Sequence, residues 1–164
     1  MENSYSINLP YPEISGKITP SVMALLMEAF GGKGSEFTGV TTYIYQHLII
    51  SENNKDLSQV LSKISIVEMK HQELIGEAIV YYGGKPLFSG AYNFWNGSYV
   101  NYQENVIKIL NDNIVAEQNA IRLYEEIIEQ TQNESLKKLI GRIIMDEQLH
   151  QTIFEAELHK LKNL

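Results

Sequence analysis

Two of the four histidines in this chain carry a glutamate three positions upstream: Glu68 before His71 in "VEMKH", and Glu147 before His150 in "MDEQLH". Residues three apart on a helix share a face, so a carboxylate and an imidazole at that spacing can close on one cation. One such pair is weak, because about one histidine in ten has a glutamate there by chance. His47 and His159 have Ile44 and Ala156 at the matching position and are read as non-ligands.

The signal lies in what precedes each pair. Glu36 in "SEFTGVTTY" and Glu117 in "AEQNAIRLY" are each followed seven residues later by a tyrosine, Tyr43 and Tyr124. From the single glutamate to the paired one is 32 residues in the first half and 30 in the second. The chain therefore reads as two copies of one helical hairpin, each Glu…Tyr…Glu–x–x–His. Related by a pseudo-two-fold axis, both copies would aim their ligands at one spot. Four carboxylates and two imidazoles can hold two divalent ions with carboxylates bridging them, and four negative charges neutralise the pair. Without metal, carboxylates crowded into a core repel one another and resist desolvation. Hard oxygen donors with one nitrogen per ion suit iron or manganese. Asp146 is read either as the acceptor of the outer ring N–H of His71 across the bundle or as a solvated side chain. Tyr43 and Tyr124 are either core tyrosines with satisfied hydroxyls or groups that hydrogen-bond an oxygen held between the metals.

Long helices must carry these residues. Thr19 and Pro20 start the first, as N-cap and first helical position. An apolar rhythm then runs to Ser51 through Gly31, Gly32 and Gly34, read as one kinked helix over 20–51. Further helices are expected over 57–82, 103–131 and 134–161, the last capped by Asn133 or Ser135. Gly83, Gly84 and Pro86 end the second helix, and an aromatic connection containing Phe88, Trp95 and Tyr102 follows. About 20 extended residues reach about 65 Å, enough to return along a helix of about 39 Å. The expected fold is an all-α four-helix bundle with one long crossover between the second and third helices. Residues 1–18 are expected to form an extended arm and 19–164 the bundle.

Composition narrows the chemistry. A net charge of −7 and a pI of about 5.1 argue against nucleic acid and anionic membranes as partners. The absence of cysteine removes disulfides, zinc–thiolate sites and thiol catalysis. No stretch reads as a signal peptide or membrane span, so a cytoplasmic location is expected.

The segments "GKGSEFTGVTTYIYQH", "IVEMKHQELIGE", "AEQNAIRLYEE" and "RIIMDEQLH" resemble the ferritin-like superfamily, in its rubrerythrin and manganese-catalase branch, over about residues 10–162. The resemblance implies that Glu36, Glu68, His71, Glu117, Glu147 and His150 are ligands of two metal ions, iron or manganese. It also implies a di-metal oxidoreductase acting on hydrogen peroxide or dioxygen, and, with the apolar crossover, a homodimer. Two features depart from rubrerythrins. Ala120 stands where they usually carry a further glutamate, and the four-cysteine rubredoxin domain is missing. Peroxidase turnover would then need an external electron donor, whereas a catalase-like cycle needs none. The short fifth helix of ferritin cages has no counterpart, which turns expectation away from iron storage. The competing classes are a non-catalytic metal-binding or structural assembly protein, and a metal-free helical interaction module.

Overall fold

The computed structural model describes residues 4–163; residues 1–3 of the expected arm and residue 164 lie outside them. Five α-helices follow in order: α1 Pro20–Gly31, α2 Glu36–Ile50, α3 Lys55–Tyr81, α4 Val106–Gln130 and α5 Glu134–Lys162. Thr19 caps α1, with Pro20 at its start. Asn133, not Ser135, caps α5 by accepting from the Leu136 N–H at 3.0 Å. The hairpins α2–α3 and α4–α5 are the most closely packed pairs. Helices α1 and α2 together fill one position of a four-helix bundle, both lying against α3 and α4. Residues 82–105 form the crossover, which holds an isolated bridge between Ser89 and Phe94 and one 3₁₀ turn, Gly97–Tyr99.

The expectation of one kinked helix over 20–51 is corrected: the chain breaks between Gly31 and Glu36. The reason is tertiary. A Cβ on Gly31 would stand 2.5 Å from the Ser89 nitrogen and 2.8 Å from the Leu87 oxygen, so the crossover backbone lies directly on that glycine. Trp95 and Phe88 pack on Phe37, with ring centroids 4.7 and 4.6 Å apart, and the Trp95 indole donates to Thr38 Oγ1 at 2.9 Å. Ser35 then caps a fresh helix by accepting from the Thr38 N–H at 3.3 Å. The break therefore places Glu36 at the first position of α2 rather than mid-helix, while Glu117 sits well inside α4.

The apolar core is in two parts. One gathers Val22, Leu26, Ile75, Ile79, Ile127, Leu136 and Ile140 around the α1 end of the bundle. The other gathers Ile50, Leu61, Ile64, Ile109, Phe154 and Leu158 around the opposite end. Between them lies a buried polar layer drawn from α2, α3, α4 and α5. Residues 4–19 form no helix; they run antiparallel to α5, from Tyr5 beside His150 to Ser15 beside Asn133. No helix among the described residues is long and apolar enough to cross a membrane.

Gly31→Ala should lose about 1–3 kcal/mol in chemical denaturation, because its methyl meets backbone that cannot rotate away. Gly34→Ala, where nothing lies within 4 Å, should stay within about 0.5 kcal/mol of the parent.

Candidate metal centre

Each helix delivers its side chain from a defined register. Glu68 and His71 lie on the inner face of α3, and Glu147 and His150 on that of α5, so each pair projects together from one turn. Glu36 enters from the start of α2 and Glu117 from α4. All six are buried, none more than 5% exposed. Their donor atoms form two groups, Glu36–Glu68–His71–Glu147 and Glu68–Glu117–Glu147–His150, in each of which one atom per residue lies within 4.8 Å of the others. Glu68 and Glu147 belong to both groups, as bridging carboxylates would.

The distances follow the pseudo-two-fold relation. His71 Nδ1 is 2.9 Å from Glu147 Oε1 and 3.4 Å from Glu68 Oε2. His150 Nδ1 is 2.9 Å from Glu68 Oε1 and 3.4 Å from Glu147 Oε2. Each histidine thus meets the glutamate of the opposite helix more closely than its own. Glu68 Oε1, both oxygens of Glu147, and the Nδ1 atoms of His71 and His150 have no hydrogen-bond partner. Buried polar atoms are normally paired. Five such unpaired atoms facing one another, oxygens and imidazole nitrogens together, make a donor set of the kind a pair of hard cations takes.

The tyrosines cross between the halves. Tyr43 of α2 donates to Glu117 Oε1 at 2.5 Å, and Tyr124 of α4 donates to Glu36 Oε1. Each hydroxyl therefore holds the single glutamate of the other hairpin, an arrangement that spacing along the chain could not reveal. Outside the cluster, His71 Nε2 stands 3.0 Å from Asp146 Oδ2, and His150 Nε2 stands 2.9 Å from the Tyr5 carbonyl. Carboxylate and carbonyl only accept, so each ring carries its proton on Nε2 and turns Nδ1 inward. Asp146 is buried and ion-paired with Arg142 at 2.8 Å, not solvated. Sequence reasoning missed Tyr5, Tyr11 and Arg142. The first two lie in the arm outside both repeats, and a main-chain carbonyl leaves no trace in residue type.

Electrostatics divides the six groups. Burial, then the charges of Glu147 and Glu68, pushes Glu36 well above the usual carboxylate range. Burial, then Glu68 and Glu147, does the same to Glu117. Burial opposes ionisation of Glu68 and Glu147 as well; the two histidines outweigh it, with a further adverse charge from Glu68 on Glu147, and both carboxylates are held low. His71 and His150 lose to burial but gain more from facing carboxylates, and rise well above the ordinary imidazole value. Without a cation these shifts favour protons on Glu36, Glu117 and the two imidazoles and ionised Glu68 and Glu147. Two dications held there would neutralise the four carboxylates.

A cavity of about 190 Å³ reaches the cluster between α2 and α4. Glu36, Glu68, Glu117 and Glu147 line it, as do Tyr43 and Tyr124, while the histidines do not. Gly39 and Ala120 are among its lining residues, and a Cβ on Gly39 would meet nothing closer than 3.8 Å.

A helical bundle with one crossover and a buried layer of this kind defines the class, the ferritin-like carboxylate bundles. The rubrerythrin family model matches residues 25–158. The chain belongs to the rubrerythrin family. It is 24% identical over 166 residues to the "Probable manganese catalase" of Clostridium acetobutylicum, covering 88% of this chain and 73% of that one. Among solved structures it superposes on KatB, a manganese catalase from Anabaena PCC7120, with a TM-score of 0.86 and 26% identity, covering 98% of this chain and 81% of KatB. The bacterioferritin of Desulfovibrio desulfuricans, which has a diiron site, gives 0.75 at 27% identity over 88% of this chain and 81% of that one.

The raised groups set a pH dependence for the metal-free protein. Folded His71, His150, Glu36 and Glu117 hold protons that the unfolded chain releases at lower pH, so stability falls as pH rises through their folded values. Glu68, Glu147 and Asp146 act oppositely, but only in acid, below the ordinary carboxylate range. Thermal unfolding in chelator should therefore show the midpoint falling as pH rises above about 6.5, the free imidazole value.

Proposed function

We propose that this chain is a di-metal carboxylate oxidoreductase that takes hydrogen peroxide and disproportionates it, as a catalase. The observation that carries the reading is the joining of two ligand groups to one solvent-reaching cavity. Glu36 and His71 would serve one ion, Glu117 and His150 the other, with Glu68 and Glu147 shared between them. Two manganese or iron ions held there would supply a two-electron redox couple for peroxide.

The chain's own residues do the rest. The glutamate side of the cluster, not the histidine side, faces the cavity, so substrate arrives among groups that can shift their oxygens while the imidazoles stay anchored from behind. Tyr43 and Tyr124 border the same space. Each holds a carboxylate at rest and can turn its hydroxyl toward a peroxide oxygen. Disproportionation is preferred to peroxidase action because its electrons come from peroxide itself. Manganese is preferred because the relatives in the Clostridium and Anabaena proteins are described as manganese catalases.

Protein purified without added metal and then loaded anaerobically with Mn²⁺ should contain about two ions per chain and evolve oxygen from hydrogen peroxide. His150→Ala should hold about one ion fewer, and Glu117→Ala should lose oxygen evolution by at least about 100-fold. Two bound ions without turnover, for manganese and iron alike, would instead identify a structural metal protein in which the ions clamp the bundle.

A further inference from the structure

The arm puts its polar atoms where the histidines need them. Asp146, the carboxylate behind His71, receives the Ile7 N–H at 2.7 Å on Oδ1, and the Tyr11 hydroxyl at 2.6 Å and the Ser6 hydroxyl at 3.1 Å on Oδ2. Among the described residues, only Arg142 and His71 reach it from the bundle. Arg142 is in turn tied to the arm: it donates to the Leu9 carbonyl at 3.1 Å and to the Ile7 carbonyl at 2.5 Å, and lies 4.5 Å over the Tyr11 ring. The same ring stands edge-on to His71, with centroids 6.1 Å apart. One turn further along α5, the Tyr5 carbonyl receives His150 Nε2. Both imidazoles are fully buried with the arm in place, so undocking it would replace the fixed carbonyl on the His150 N–H with mobile water and strip three donors from Asp146.

An arm serving only to cover the bundle would bury its apolar side chains, and Tyr11, Ile14 and Ile18 do pack on the core. Coverage does not explain why Ser6, Ile7 and Tyr11 converge on one carboxylate, or why Tyr5 turns a carbonyl to the second histidine. Resting on the di-metal reading above, we propose that the N-terminal arm is the outer clasp of the metal centre. Tyr11 is a positioning residue acting on His71 through Asp146, and the Tyr5 carbonyl orients His150. By linkage, arm docking holds the metals and bound metals hold the arm. The two positions are unequal: the His71 ion is backed by a carboxylate with three arm donors, the His150 ion by one neutral carbonyl.

The test uses the full chain loaded with Mn²⁺ and mixed with excess chelator, following metal release. Tyr11→Phe deletes the hydroxyl and keeps the ring beneath Arg142. It should speed release of one of the two ions by about 10-fold or more and leave the other near its parent rate. Ser6→Ala combined with Tyr11→Phe should widen that split. Hydrogen exchange at the Ile7 amide, whose N–H is given to Asp146, should slow by about 10-fold when the parent is loaded. General loosening would quicken both release phases together, and that outcome overturns the clasp. Unchanged release in both variants, or equal Ile7 exchange with and without metal, overturns it too while leaving the di-metal reading intact. A parent chain that takes up neither manganese nor iron overturns both.

Discussion

Four carboxylates and two imidazoles share one buried layer, and the rest of the molecule is arranged around making that tolerable. At an effective dielectric of about 20, two like charges 4 Å apart repel by about 4 kcal/mol, and this cluster contains several such neighbours. Burial and mutual repulsion push Glu36 and Glu117 toward holding their protons, while the facing histidines hold Glu68 and Glu147 down. Two dications held there would neutralise the same four carboxylates. Apolar layers close on the cluster from above and below.

Symmetry gathers the six side chains and asymmetry supplies access to them. The paired motifs of α3 and α5 face each other almost equivalently, each histidine 2.9 Å from the opposite glutamate. The single glutamates are not equivalent. Glu36 begins a helix created by the crossover's pressure on Gly31, whereas Glu117 sits inside an unbroken one. The gap between α2 and α4, floored by Gly39 and Ala120, becomes the cavity. The opposite side, between α3 and α5, is closed by the arm. The cavity and the arm therefore reach the cluster from different faces.

The crossed hydrogen bonds of Tyr43 and Tyr124 join the two hairpins through the site itself. Neither hairpin completes the cluster or satisfies its own tyrosine, so the cluster exists only where the two hairpins are packed together. Arg142 and Asp146 extend this outward, carrying the same network from His71 to the arm.

Much of this was legible in the chain alone. Helical spacing pairs Glu68 with His71 and Glu147 with His150, and recurrence of the pattern with Glu36 and Glu117 points to one shared centre, because three-residue spacing on a helix is a local geometric fact. The long connection after Gly83 likewise fixes the order of helices, since parallel neighbours need a returning strand of chain. Residue spacing could not show that α1 and α2 are separate, because the break comes from contact between Gly31 and backbone more than 50 residues later. Nor could it show which glutamate each tyrosine holds, that Asp146 is buried, or that a carbonyl of Tyr5 backs His150. Those depend on distances across the bundle, and only tertiary packing decides which atoms meet there.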